Sequence, residues 1–179
     1  GRIGTALSQR SKSIFNKILF YDPLIEDGYD KALGLEKKER LIDLFKNSDV
    51  ISLHSPSTGI NKFFLEEKLF KALKKPIIFI NTSRGDLVKN DILAKYFKNG
   101  NIKGLGLDVF NIEPLHKKDA LTRIWEDKKN IGKVLFSPHV AFYSSEALRE
   151  IRSKGVRTLK DFFEKNNLKN CINKMYLKN

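Results

Sequence analysis

Cysteine is almost absent from this chain: Cys171 stands alone among 179 residues. No intrachain disulfide can form, which fits a reducing intracellular setting. Long apolar runs are missing too. None reaches the roughly 18 residues that a helical membrane span needs, so the sequence holds no candidate for one. Acidic residues are short, 21 against 34 Lys and Arg, for a net charge of +13. An excess of that size invites a nucleic-acid reading. The lysines, however, come singly or in pairs, as in Lys37-Lys38, Lys74-Lys75, Lys117-Lys118 and Lys128-Lys129, with no arginine-rich block. They read as a solvated surface, and nucleic acid is not the expected primary partner. Internal repeats and low-complexity linkers are also lacking. Gly1 rather than Met opens the chain, so a targeting signal is not readable from it.

What is present suffices for a core: 41% of residues are hydrophobic and 11% aromatic. Short apolar runs recur along the chain. Ile18-Leu19-Phe20-Tyr21 ends in Asp22-Pro23, Val50-Ile51-Ser52-Leu53 ends at His54, and Ile77-Ile78-Phe79-Ile80 ends at Asn81-Thr82. Leu105 to Val109 and Val134-Leu135-Phe136 complete the set. Such runs predict strands buried on both faces, as in parallel sheets. Helical spacing lies between them: Leu41, Leu44 and Phe45; then Phe64, Leu65, Leu69, Phe70 and Leu73; then Ile92, Leu93, Tyr96 and Phe97 before an Asn99-Gly100 stop. A longer helix is expected over 144–165, capped by Ser144 or Ser145. The alternation predicts an α/β fold, a doubly wound, Rossmann-like parallel sheet. The expected division is residues 1–147 as one domain and 148–179 as a C-terminal helix and tail.

Gly1-Arg2-Ile3-Gly4 runs into the helical start Thr5-Ala6-Leu7-Ser8, and Asp22 follows Gly4 by 18 residues (22 − 4). That is close to the ~20-residue spacing between a dinucleotide loop and the acid that holds the adenosine ribose. Helix N-terminal amides attract a pyrophosphate, and a carboxylate accepts ribose hydroxyls while repelling a 2′-phosphate. The reading is NAD rather than NADP, with a capped turn and a solvated aspartate as the bland alternative. In a G-x-G-x-x-G loop, Gly1 and Gly4 would be the second and third glycines. The expectation is a chain that starts inside its own loop, without the first glycine and the strand before it. In the order 3-2-1-4-5-6 that strand is central. Its loss is expected to cost a neighbour both to the strand ending at Asp22 and to the one ending at Thr82, and to leave the chain unable to fold cooperatively alone.

Five strings, Gly1-Arg2-Ile3-Gly4, Phe20-Tyr21-Asp22-Pro23, Asn81-Thr82-Ser83-Arg84-Gly85, Gly106-Leu107-Asp108-Val109-Phe110 and Ser137-Pro138-His139-Val140-Ala141, occur in this order. In order and spacing they resemble the NAD-binding domain of the D-isomer-specific 2-hydroxyacid dehydrogenases. His139 to Ser144, with its aromatic Phe142, and the tail from Leu168 to Asn173 look like the C-terminal-binding protein branch, which includes NAD-sensing corepressors. That branch has Trp at the position of Phe142.

Interconverting a 2-hydroxy and a 2-keto acid needs a cation for the substrate carboxylate, a proton donor for the carbonyl oxygen, and a group that orients that donor. Arg84, His139 and Glu113 suit these roles in turn, and the resemblance implies the same assignment. It further implies that Asp108 meets the nicotinamide carboxamide, that Thr82 lines the nicotinamide ribose, that Ser55 and Thr58 pass near the cofactor, and that Phe142 faces the substrate. Read singly, each residue has an ordinary structural explanation. His54 is expected to be structural, and His116 a loop residue. The first expectation is an NAD-dependent oxidoreductase acting on a small 2-hydroxy or 2-keto acid, without a metal, cytoplasmic, and a homodimer as the complete protein. The rival is an NAD(H)-sensing corepressor-like binding protein, nuclear in that case.

Overall fold

The computed structural model describes residues 1–168 together with Cys171 and Asn173. The chain divides into two compact units, Gly1–His139 and Val140–Asn179. The first opens with helix α1 (Arg2–Ser11), strand β1 (Leu19–Phe20), helix α2 (Tyr29–Leu33) and strand β2 (Glu36–Lys37). There follow α3 (Leu41–Asn47), β3 (Val50–Leu53), α4 (Glu67–Lys71), β4 (Ile77–Asn81), α5 (Asn90–Lys98), β5 (Ile102–Leu107), α6 (Ala120–Glu126) and β6 (Val134–Phe136). β3, β4, β5 and β6 form a sheet in that order, parallel throughout. β1 and β2 make a separate parallel pair. The α/β class and the parallel pairing are those the apolar runs predict.

Each parallel step needs a crossover, and the crossover helices bury the sheet. Along β4, Ile77, Phe79 and Asn81 are buried while Ile78 and Ile80 are half-buried. Phe70 of α4 is wholly buried at the centre of the core. Its ring centroid lies 5.3 Å from Phe45, 5.3 Å from Tyr96 and 5.8 Å from Phe79. Leu93 and Ala94 of α5 and Leu121 and Ile124 of α6 close the same cluster. α5 stops where expected: Gly100, at φ 78°, turns the chain into a left-handed conformation that glycine adopts without steric cost.

Three expectations change. β2 was not foreseen, because Glu36-Lys37 is short and charged. Counting it makes Val50–Leu53 the third strand of the described chain rather than the second. It is therefore β3, paired only with β4, that forms the edge of the four-stranded sheet, whereas the strand leading to Thr82 has partners on both sides. The helix expected across Phe64 to Leu73 is only Glu67–Lys71. Phe64 and Leu65 precede it in irregular chain, the Leu65 N–H donating to the Leu87 carbonyl at 3.2 Å. Asp108 and Val109 lie just beyond β5, both buried.

The second unit is dominated by α7 (Ser145–Lys165). Ser144 caps it, its Oγ accepting the Ala147 N–H at 3.0 Å. Ile151, Val156, Leu159 and Phe163 of this helix are exposed. Among the described residues, no helix is long and apolar enough to cross a membrane.

Candidate active site and nucleotide cavity

The C-terminal ends of β4, β5 and β6 converge, and a line of backbone bonds ties them. The Asp108 N–H donates to the Asn81 carbonyl at 3.0 Å, and the His139 N–H donates to the Asp108 carbonyl at 2.8 Å. The Asp108 side chain is buried and accepts the Ser137 hydroxyl at 2.6 Å. His139 holds φ 55°, a left-handed conformation uncommon outside glycine, which structures retain where the surroundings over-determine it.

Glu113 meets His139 here. Its Oε2 lies 2.8 Å from His139 Nδ1, and its Oε1 accepts the Phe110 N–H at 2.9 Å. Burial pushes the Glu113 carboxyl up, but the His139 and Phe110 hydrogen bonds outweigh it and hold the group below the usual glutamate value. A carboxylate fixed on Nδ1 leaves Nε2 as the ring nitrogen available for proton exchange. Arg84 is exposed at the end of the turn after β4, with Nη1 donating to the Ser83 carbonyl at 2.6 Å. Thr82 is exposed on the same turn.

The turn carrying Arg84 is pressed onto the turn carrying Glu113. A Cβ at Gly85 would lie 1.9 Å from the carbonyl carbon and oxygen of Phe110. Only glycine permits that backbone approach.

The loop after β3 is organised from within. Asn61 Nδ2 donates to the Pro56 carbonyl at 2.7 Å, and its Oδ1 accepts the Thr58 N–H at 2.6 Å and the Thr58 hydroxyl at 3.0 Å. Asn61 Nδ2 also reaches Ser55 Oγ at 3.3 Å. Both hydroxyls expected near the cofactor, Ser55 and Thr58, are thus engaged inside the loop. Ser57 ties the loop to the Arg84 turn through Asp86, Oγ to Oδ2 at 2.7 Å.

A cavity of about 870 Å³ is lined by Gly1, Arg2, Thr5, Asp22, Leu24 and Tyr29, among others. The Asp22 carboxylate accepts the Leu24 N–H at 3.0 Å and lies 3.8 Å from the Gly1 nitrogen. Ile3 points out, 70% exposed, whereas a Cβ on Gly4 would approach His54 Cβ to 3.3 Å. The second contact explains the glycine: α1 passes close to the end of β3. These residues fit a dinucleotide. The first turn of α1 offers amides to a pyrophosphate, and Asp22 offers a carboxylate to ribose hydroxyls at the same cavity.

His54 is half-buried, with Nε2 2.9 Å from Ser52 Oγ, as a structural histidine should be. His116 Nδ1 accepts the Lys118 N–H in a loop. Phe142 belongs to the second unit, where its ring stands edge-on to Tyr143 with centroids 6.2 Å apart. Of the tail motif, Lys169, Asn170 and Ile172 lie outside the described residues. Sequence reasoning missed Asn81, Gly85 and Asn61 as organisers. For Asn81 a signal existed: it is a polar residue in phase with buried Ile77 and Phe79.

Comparison with known proteins agrees with this geometry. The chain is 37% identical over 146 residues to a glyoxylate reductase of Korarchaeum cryptofilum, covering 82% of this chain and 42% of that protein. It is 33% identical over 174 residues to a glyoxylate reductase of Thermococcus litoralis, covering 97% and 50%. Among solved structures it resembles a D-lactate dehydrogenase from Aquifex aeolicus complexed with NAD and lactic acid. The TM-score is 0.74 at 31% identity, covering 92% of this chain and 51% of that one. The chain thus spans about half the length of the curated relatives it matches. The model of the D-isomer specific 2-hydroxyacid dehydrogenase NAD binding domain matches residues 1–141, and the chain belongs to that family, with NAD as its cofactor.

Proposed function

We propose that the protein of which this chain forms the nucleotide-binding part interconverts a small 2-keto acid and its 2-hydroxy acid. The observation that carries this reading is the Glu113–His139 pair, Oε2 to Nδ1 at 2.8 Å, on a turn pressed against the turn that carries Arg84. Bound NAD(H) supplies or accepts the hydride. Arg84 holds the substrate carboxylate, because its guanidinium is planar, bidentate and permanently charged. His139 delivers a proton from Nε2 to the carbonyl oxygen in reduction and takes it back in oxidation. Glu113 holds Nδ1 and so orients the ring.

Asp22 binds the adenosine ribose and selects NAD over NADP, and the start of α1, with Gly1, Arg2, Ile3 and Gly4, receives the pyrophosphate. Asp108 and Thr82 border the nicotinamide, with the loop of Ser55 and Thr58 beside it. The names of the relatives support glyoxylate or another small keto acid as substrate. The family resemblance supports a homodimer for the whole protein. Neither the relatives nor the solved structure named above bears a corepressor name, and that reading has no further support.

The test is to titrate NADH, with NADPH as control, following energy transfer from Trp125 and the tyrosines, and then to add glyoxylate and follow NADH consumption. The reading expects saturable NADH binding, weakened by Asp22→Ala. It also expects turnover that falls by roughly 10²–10⁴-fold in His139→Ala. Tight NADH binding by the whole protein with no turnover on any small keto acid would overturn the enzymatic reading in favour of nucleotide sensing.

A further inference from the structure

Asn81 occupies a position that no step of the reaction above uses. It ends β4 with only 1% of its surface exposed. A side-chain amide so deeply buried is retained where its hydrogen bonds are satisfied, and the side-chain bonds of Asn81 lead to the turn that carries Arg84. Its Nδ2 donates to the Arg84 carbonyl at 2.8 Å. Its Oδ1 accepts the Ser83 N–H at 3.0 Å and the Ser83 hydroxyl at 2.9 Å. Its own carbonyl accepts the Asp108 N–H at 3.0 Å, and Asp108 in turn accepts the His139 N–H at 2.8 Å.

One residue thus holds Arg84 through its side chain and His139 through two backbone bonds. The close packing of Gly85 on Phe110, where an added Cβ would lie 1.9 Å from the Phe110 carbonyl, closes the same arrangement from the other side, because Phe110 also donates to Glu113. We propose that Asn81 is the positioning residue that fixes the carboxylate-binding Arg84 relative to the proton-transferring His139. The proposal rests on the reading of Arg84 and His139 given above.

Geometry makes the role specific. Arg84 sits at the end of an exposed turn, and a long side chain there gives useful affinity only if its backbone origin is fixed beforehand. Nothing but the Asn81 amide bridges the start and end of that turn by a side-chain bond among the described residues. The buried amide supplies both the donor and the acceptor, which neither a serine nor an aspartate could do in the same geometry.

The experiment measures binding of oxamate, a carboxylate analogue of a small 2-keto acid, to the NADH complex by calorimetry, with NADH affinity measured in parallel. Asn81→Asp keeps an oxygen for Ser83 but removes the donor to the Arg84 carbonyl. The expected result is an oxamate affinity weakened about tenfold, with NADH affinity unchanged within about twofold because Asp22 and α1 are not touched. Ser83→Ala, a milder change, serves if Asn81→Asp does not fold, and should weaken oxamate by about threefold. Asn90→Ala is the control. Asn90 is also buried, and its Nδ2 donates to Asp119 Oδ2 at 2.9 Å away from the crevice. It should lower stability without changing oxamate affinity. Undiminished oxamate binding in a folded Asn81→Asp or Ser83→Ala protein overturns the proposal, as does an equal loss in Asn90→Ala. Failure of the unsubstituted NADH complex to bind oxamate overturns the Arg84 reading itself, and the role of Asn81 with it.

Discussion

Glu113 bridges a backbone amide and a histidine ring: one carboxylate oxygen accepts the Phe110 N–H at 2.9 Å, and the other lies 2.8 Å from His139 Nδ1. Both oxygens are therefore directed, and the carboxyl has little freedom to rotate. His139 is fixed in the same way from behind, by its backbone bond to Asp108 and its φ of 55°. A pair held at both ends is preorganised, so little rearrangement is left for the step in which the proton moves.

The first prediction concerns the charge of that pair. Burial raises the Glu113 pKa, while the His139 hydrogen bond and then the Phe110 N–H lower it further than burial raises it. In His139→Ala the largest lowering influence goes, and burial remains. The Glu113 carboxyl should then titrate at higher pH than in the unsubstituted protein, read from its side-chain carbon resonance. The linkage has a definite sign. A carboxyl depressed below its ordinary 4.5 stabilises the fold above that value, and the contribution fades as pH falls through the folded-state pKa. His139→Ala should therefore flatten the acid limb of the stability curve. An unmoved Glu113 midpoint would show that the pair does not form in solution.

The second prediction tests the contact between the two turns. Gly85→Ala would place a Cβ 1.9 Å from the Phe110 carbonyl group. Backbone, not a flexible side-chain end, occupies the space, so relief requires one turn to move. The expected cost is roughly 1–3 kcal/mol, measured by chemical denaturation. Displacing Phe110 also draws its N–H away from Glu113, so the carboxyl resonance should move as well. A loss below about 0.5 kcal/mol, the range of neutral surface changes, would mean that the turns are not in backbone contact.

The strands that could be read from the sequence are the apolar runs, although not all of them bury both faces as expected: Leu135 of β6 is 75% exposed. Ile77-Ile78-Phe79-Ile80 has no polar position to confuse the pattern, and Ile51 and Leu53 carry β3 in the same way. Glu36-Lys37 was illegible because a short strand of half-buried charged residues has no apolar period. Missing it shifted the strand count by one and misassigned which strand lies at the sheet edge. The helix at α4 was overextended because Phe64 and Leu65 are apolar at a helical spacing, while Leu65 is buried in an irregular segment bonded to Leu87. At the site, Arg84, Glu113 and His139 were legible because each ends or follows a recognisable string. Asn81 and Asn61 were not, because their importance lies in hydrogen bonds to backbone groups that come together only in the folded chain.

The third prediction is an acid sensitivity that does not involve the crevice. Burial pushes the His54 pKa below the ordinary histidine value of 6.5. His54 is packed under α1, with Gly4 so near that an added Cβ would meet His54 Cβ at 3.3 Å. Above pH 6.5 the ring is neutral in folded and unfolded chains alike, and it gives stability no pH dependence. As pH falls below that value the unfolded chain takes up the proton first, so the folded state loses stability until the folded-state pKa is reached. Comparing urea midpoints at about pH 7.5 and about pH 5.5, on either side of that onset, should therefore show a larger loss in the unsubstituted protein than in His54→Gln, which cannot titrate but can still bond Ser52. His116 and His139 are present in both proteins, so their contributions cancel in the difference. Equal losses would mean that His54 is solvated in the folded state and that α1 does not rest on the end of β3, since a ring covered by that helix could not gain its proton as easily as one in the unfolded chain.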